Sequence, residues 1–275
     1  MRHCNNLHSF KKRQLKFIII LSLLMWVISS VNFIIHINKS LELSNLHEYF
    51  LCNMDFILSF DIISILQDTN FTYMINPLFC ACCLYIITIN SRMVRVIRCN
   101  SKNDLWNNNF FLIIIFSFIT SGLLVFGTYI LGSIVLGNFN NMWISNNGYF
   151  YNLYCDSDVW IPLSTILTTK KMLFIMFFST FICLSMFGSI INVLNIFIKQ
   201  RYTFIIMVSL VFIDYINICE FSPLKSNIIS LDNIININTL IIKNISYILL
   251  TWAFYILGKF FMEKKDQYFK DNKVY

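Results

Sequence analysis

Long apolar runs alternate along the chain with short polar segments that carry most of its charges. A bilayer core of about 30 Å takes roughly 20 apolar helical residues, and runs of that order lie at 15–37, 73–90, 110–139, 172–198, 202–221 and 240–261. The pattern predicts an all-α, polytopic membrane helix bundle with six transmembrane helices. Pro77 falls in the first turn of the second run, where a missing N–H costs least. The stretch 49–66 is also apolar, but it holds Asp55 and Asp61 near its middle. Two carboxylates are expensive in hydrocarbon, so an interfacial or loop-packing helix is expected there. The predicted organisation is a two-span region over 1–109 with an outer loop at 38–72, then a four-span bundle over 110–275 with outer loops at 140–171 and 222–239.

Composition sharpens this picture by exclusion. Hydrophobic residues make up 57% and charged residues 13%, against about 45–50% and 25% in a soluble globular domain. A 17% aromatic share is incompatible with intrinsic disorder, and three prolines and seven glycines are too few for a collagen-like or low-complexity chain.

The net charge of +7 becomes a topology signal once it is divided along the six spans. Residues 1–16, 91–109, the 199–201 turn and the tail from Lys259 hold sixteen Lys and Arg against Asp104, Glu263, Asp266 and Asp271. The opposite side holds Lys39, Lys170, Lys171, Lys225 and Lys243 against nine acids, which leaves Asp214 inside a span. By the positive-inside rule both termini are expected in the cytosol. Lys11, Lys12, Arg13 and Lys16 precede a first run too long for a signal-peptide core, so an uncleaved signal anchor is expected. The sequons at Asn38, Asn70 and Asn244 fall on or near the outer side.

Catalytic chemistry has little to stand on. All four histidines precede residue 48, and no metalloprotease, phosphate-loop or nucleophile-elbow motif occurs. No loop is long enough for an independent domain. No enzyme, cofactor or metal is therefore expected, and no nucleic-acid partner.

Asp214 is the single acid well inside a predicted span. Depth matching on the antiparallel preceding helix puts it near Ser185, Gly188 and Ser189. It reads either as an ion or proton site or as a neutral, hydrogen-bonded Asp joining two helices. Gly122, Gly127, Gly132 and Gly137 recur through the third span, which points to close helix packing. Cys80, Cys82 and Cys83 have the wrong spacing for zinc and read as core residues. Of Cys52, Cys155 and Cys219 on the outer side, one disulfide can form with one thiol left over, and a Cys155–Cys219 pairing would tie the two later outer loops together. Arg92, Arg95, Arg98 and Lys102 read as a positive-inside anchor, with anionic headgroups as the alternative contact.

In the outer loop at 140–171, Trp143 is followed by Gly148, Tyr149 and Phe150 and then by Cys155, with Lys170 and Lys171 ahead of the next run. Tyr247, Trp252 and Gly258 lie in the last span. With a very short turn at 199–201, residues 110–261 resemble the tetraspan plan of the claudin family, with Gly-Tyr-Phe in place of Gly-Leu-Trp and one loop cysteine in place of two. The resemblance implies lateral and cell-facing protein association, outer loops folded as a small β-sheet, and interaction roles for Trp143, Gly148, Tyr149, Phe150 and Cys155.

The expected function is an integral membrane scaffold or complex subunit that associates through packed helices and outer loops, with the lipid bilayer and other membrane subunits as partners. The alternative is a small ion or solute transporter or channel subunit using Asp214. A plasma or secretory-pathway membrane is the favoured location. The Ile, Asn, Phe and Lys bias also fits an organelle inner membrane.

Overall fold

The computed structural model describes residues 14–31, 51–57, 74–91, 102–137, 139, 143, 145, 148, 168–215 and 237–271, except the side chains of 102, 212–215, 237, 239 and 265–271. Every regular element among them is helical. They are α1 (Gln14–Val31), a 3-10 turn (Asn53–Phe56), α2 (Asn76–Asn90), α3 (Lys102–Gly122), a π-helical turn (Leu123–Gly127), α4 (Thr128–Leu136), α5 (Thr169–Phe197), α6 (Gln200–Tyr215) and α7 (Ile237–Asp271).

Four of the predicted spans are helices long and apolar enough to cross a membrane: Gln14–Val31, Asn103–Leu136, Thr169–Phe197 and Leu240–Lys264. The second of these joins α3, the π-helical turn and α4 into one rod. The other two predicted spans appear as the shorter apolar helices α2 and α6. At 1.5 Å per residue α2 rises only about 22 Å, less than a bilayer core. Expected boundaries also move. The polar residues 102–109, expected in a loop, form the first two turns of α3, and α7 runs on through Asp271. Within 49–66, residues 51–57 are a buried 3-10 turn rather than a longer helix, and 58–66 lie outside the description.

Local chemistry accounts for several ends. Thr168 caps α5, its Oγ1 accepting from the Lys171 N–H at 3.4 Å. Pro77 occupies the start of α2 as its missing donor favours. Gly137 ends α4 in the left-handed conformation, φ 70°, that helix C-caps require. Among the described residues nothing lies within 4 Å of a side chain added at that position, so within this bundle Gly137 serves to end a helix.

The bundle is organised around α5, which packs on α2, α3, α6, α7 and the π-helical turn. α6 leans chiefly on α2 and more lightly on α5. α1 joins the same core through Ile18 and Met25. Many large apolar side chains are exposed: α1 turns out Leu15, Ile20, Leu24, Val27 and Val31 while burying Ser22 and Ser29. Ser117, Thr120, Ser121, Ser185, Ser189 and Asn192 are buried as well. Apolar residues outside and small polar ones inside match a bundle solvated by lipid, where hydroxyls and amides gain more from one another than from hydrocarbon.

Candidate functional site

Polar chemistry gathers at the two ends of this bundle. One end holds the starts of α1 and α3 and the end of α2. There the Gln14 Nε2 donates to Asn90 Oδ1 at 2.8 Å, and the Asn90 Nδ2 donates to Asn109 Oδ1 at 2.8 Å. Asn90 and Asn109 are buried, so this amide chain ties three helices together where few alternative partners exist. α7 docks at the same end. Gly258 lies directly against the Trp106 indole, Tyr255 donates to Asn107 Oδ1 at 2.9 Å, and Asn103 donates to Glu263 Oε1 at 2.8 Å. These contacts explain why the polar residues 102–109 are helical.

The opposite end holds the start of α2, the end of α4 and the start of α5. Here the 3-10 turn is wedged into the bundle, with every residue from Leu51 to Ile57 buried. Phe56 fills the notch left by Gly132 on α4, where an added Cβ would lie 2.5 Å from Phe56 Cδ2. Asn53 donates from Nδ2 to the Tyr129 carbonyl at the limit of hydrogen-bond distance, 3.5 Å. Asp55 holds the turn's own backbone: its Oδ2 accepts the Cys52 N–H at 2.7 Å, and its N–H donates to the Cys52 carbonyl at 3.0 Å. The other carboxyl oxygen, Oδ1, is buried and has no partner among the described residues, and the same holds for Asn53 Oδ1. Burial pushes the Asp55 carboxyl up to about 7, the Cys52 hydrogen bond acting in the opposite direction.

The residues singled out in the sequence separate in space. Ser185 and Ser189 are both buried on α5, and the Ser189 hydroxyl donates back to the Ser185 carbonyl at 2.7 Å. The Ser185 hydroxyl has no partner among the described residues. Asp214 is in the last turn of α6, and its side chain lies outside the described residues. Three of the third-span glycines meet aromatic rings: a Cβ added at Gly122 would lie 3.7 Å from Phe177, one added at Gly127 would lie 3.1 Å from the Trp26 indole nitrogen, and Gly132 faces Phe56. In the loop after α4, Trp143 is buried and donates from Nε1 to Thr169 Oγ1 at 2.9 Å, which fastens the loop to the first turn of α5. Gly148 is also buried, its N–H donating to the Ser145 carbonyl at 2.8 Å. Both are buried positions in the bundle. Tyr149, Phe150, Cys155 and Cys219 lie outside the described residues, as do Asn38 and Asn70. Asn244 is within α7, half-buried, and accepts from the Ser179 hydroxyl at 3.2 Å, so this sequon is a helix contact.

Asp55 and the Asn90 and Asn109 chain were not anticipated as site residues. Asp55 had a signal in the sequence, as an acid inside an apolar run. The asparagines had none, because they meet only when three separate helices assemble. Among the described residues no group of three or more His, Cys, Asp or Glu is placed to hold a metal. No family model, curated protein or solved structure matches the chain.

Proposed function

We propose that this chain is a non-catalytic membrane scaffold or complex subunit whose helices pack against partner helices. The observation that carries this reading is the outward face of α7. Ile242, Ile245, Leu249, Trp252 and Ile256 repeat at alternating spacings of three and four, and each is more than half exposed. That spacing keeps one seam facing a partner helix over several turns. The opposite side of α7 is already engaged with α3 and α5, so the seam is free to meet a second helix or lipid. The reading includes six membrane crossings, with α2 and α6 as the cores of the second and fifth, and both termini in the cytosol, as the charge distribution favours. It also takes residues 110–261 as claudin-like in plan, with association through the outer loops as well as the helices.

Purification in mild detergent, with identification of co-purifying chains, tests it. A defined partner that is lost when Leu249 and Ile256 are both replaced by Ala supports the reading, and a single stable species without partners overturns it. The second reading, a transporter or channel subunit, draws on the unpartnered Ser185 hydroxyl in the core and on Asp214 in the neighbouring helix. Asp214→Asn abolishes flux in that case and leaves assembly intact.

A further inference from the structure

We propose that the Asp55 turn is a proton-operated latch: with Asp55 neutral the turn stays seated and Phe56 occupies the Gly132 notch, and with Asp55 ionised the turn is released from the bundle toward water. The seat is built from shape. Gly132 leaves a gap in α4, Phe56 fills it and is itself almost wholly buried, and Leu131, Val135 and Leu136 close around the ring. The trigger sits one residue away. Asp55 is buried with one oxygen bonded to the Cys52 N–H, and the other oxygen has no partner among the described residues.

A neutral carboxyl tolerates this environment, whereas a carboxylate buried with a single hydrogen bond does not, since burial of charge is costly unless it is paired. Nothing described nearby supplies a countercharge. α4 brings one titratable group to the turn, Tyr129, whose carbonyl accepts from Asn53. On the turn's own segment the other titratable group is Cys52. Lys170 and Lys171, at the start of α5 on this end of the bundle, are exposed. When the proton leaves Asp55 for water, the carboxylate reaches solvation only by carrying the turn outward, and Phe56 leaves its notch with it. Release uncovers the apolar wall of α4, so the latch links acidity to the surface this end presents.

Proton linkage sets the sign. Asp55 has a usual value of 3.8 when exposed and about 7 when seated, so the seated form is favoured at low pH. The equilibrium for release rises about tenfold per pH unit between those values and flattens above the upper one.

Hydrogen exchange of the full chain in lipid nanodiscs reads this directly. The reporters are the amides of Cys52, Asp55 and Ile57, which are bonded within the turn, and rates are divided by those of the unfolded peptide at the same pH. Protection in the native chain should fall by more than tenfold between about pH 5 and about 8. Asp55→Asn, which keeps the acceptor and removes the proton, should hold protection constant across the range. Protection that is flat in the native chain, or equally pH-dependent in Asp55→Asn, overturns the latch. The infrared carbonyl band of a protonated acid gives a second measurement on the native chain alone. Its loss near neutral pH supports the latch, and an Asp55 already ionised at about pH 5 overturns it whether or not the variant folds.

Discussion

At one end of the bundle three amides pass hydrogen bonds from helix to helix, Gln14 to Asn90 to Asn109, while at the other a buried carboxyl has one oxygen bonded and one without a partner among the described residues. Both ends use polar side chains in apolar surroundings, but the groups differ in what pH does to them. Amides do not titrate, so the Gln14, Asn90 and Asn109 chain holds α1, α2 and α3 together in a way that acid and base leave alone. Asp55 titrates, so the second end holds its turn conditionally. The difference shows how a membrane bundle separates a permanent joint from a reversible one with the same inventory of hydrogen bonds.

Substitutions that remove this difference test it. The largest expected effect is that of Asp55→Asn. At about pH 8 the variant should be more stable than the native chain by up to ~4 kcal/mol, the advantage shrinking as pH falls toward the unperturbed acid range, as read from unfolding midpoints in detergent. A matched pair of midpoints at alkaline pH would remove the distinction between the ends. Next comes Asn109→Leu, which leaves the buried Asn90 donor without its acceptor. It should cost about 1–3 kcal/mol at every pH, and a pH-dependent loss would show that the amide chain is not the passive joint described. Gly258→Leu drives a side chain into Trp106 and should cost a similar ~1–3 kcal/mol, visible as separation of α7 from α3 in crosslinking between those helices. The smallest effect should be that of Ser179→Ala, which removes the hydroxyl contact to Asn244. Near ~0.6 kcal/mol, it sets the scale of an ordinary interhelical hydrogen bond in lipid against which both ends are judged.

What could be read from the sequence follows what each signal depends on. The four long spans were legible because a run of apolar residues is a local property, and so was the reluctance of Asp55 to enter a span. The start of α2 at Pro77 was legible for the same reason. The helical state of 102–109 was not, because its asparagines look like loop residues until Tyr255, Gly258 and Glu263 of α7 arrive beside them. The glycine series showed that something must approach closely. It could not show that the visitors are Trp26 and Phe56, one from a different helix and one from a short turn. The bond from Trp143 to Thr169 could not be read either, because an aromatic side chain in a loop looks the same in sequence whether it faces water or folds back onto a helix. The partner of the Asn90 amide lies on α3, and hydropathy has no means of pairing residues across helices.

The π-helical turn between α3 and α4 bears on how this architecture can change. A five-residue repeat admits one more residue than the α-helical path would take, and each residue turns the helix by about 100°. Removing one residue from Leu123–Gly127 would therefore return the rod to a regular α-helical path and leave α4 facing as it does, with Gly132 still opposite Phe56. The same deletion placed in the first turn of α4 has no wide turn to absorb it, and would swing the rest of that helix by about 100° and carry Gly132 away from the ring. The π-helical turn is thus the one place along the rod where a single-codon deletion leaves the aim of α4 unchanged.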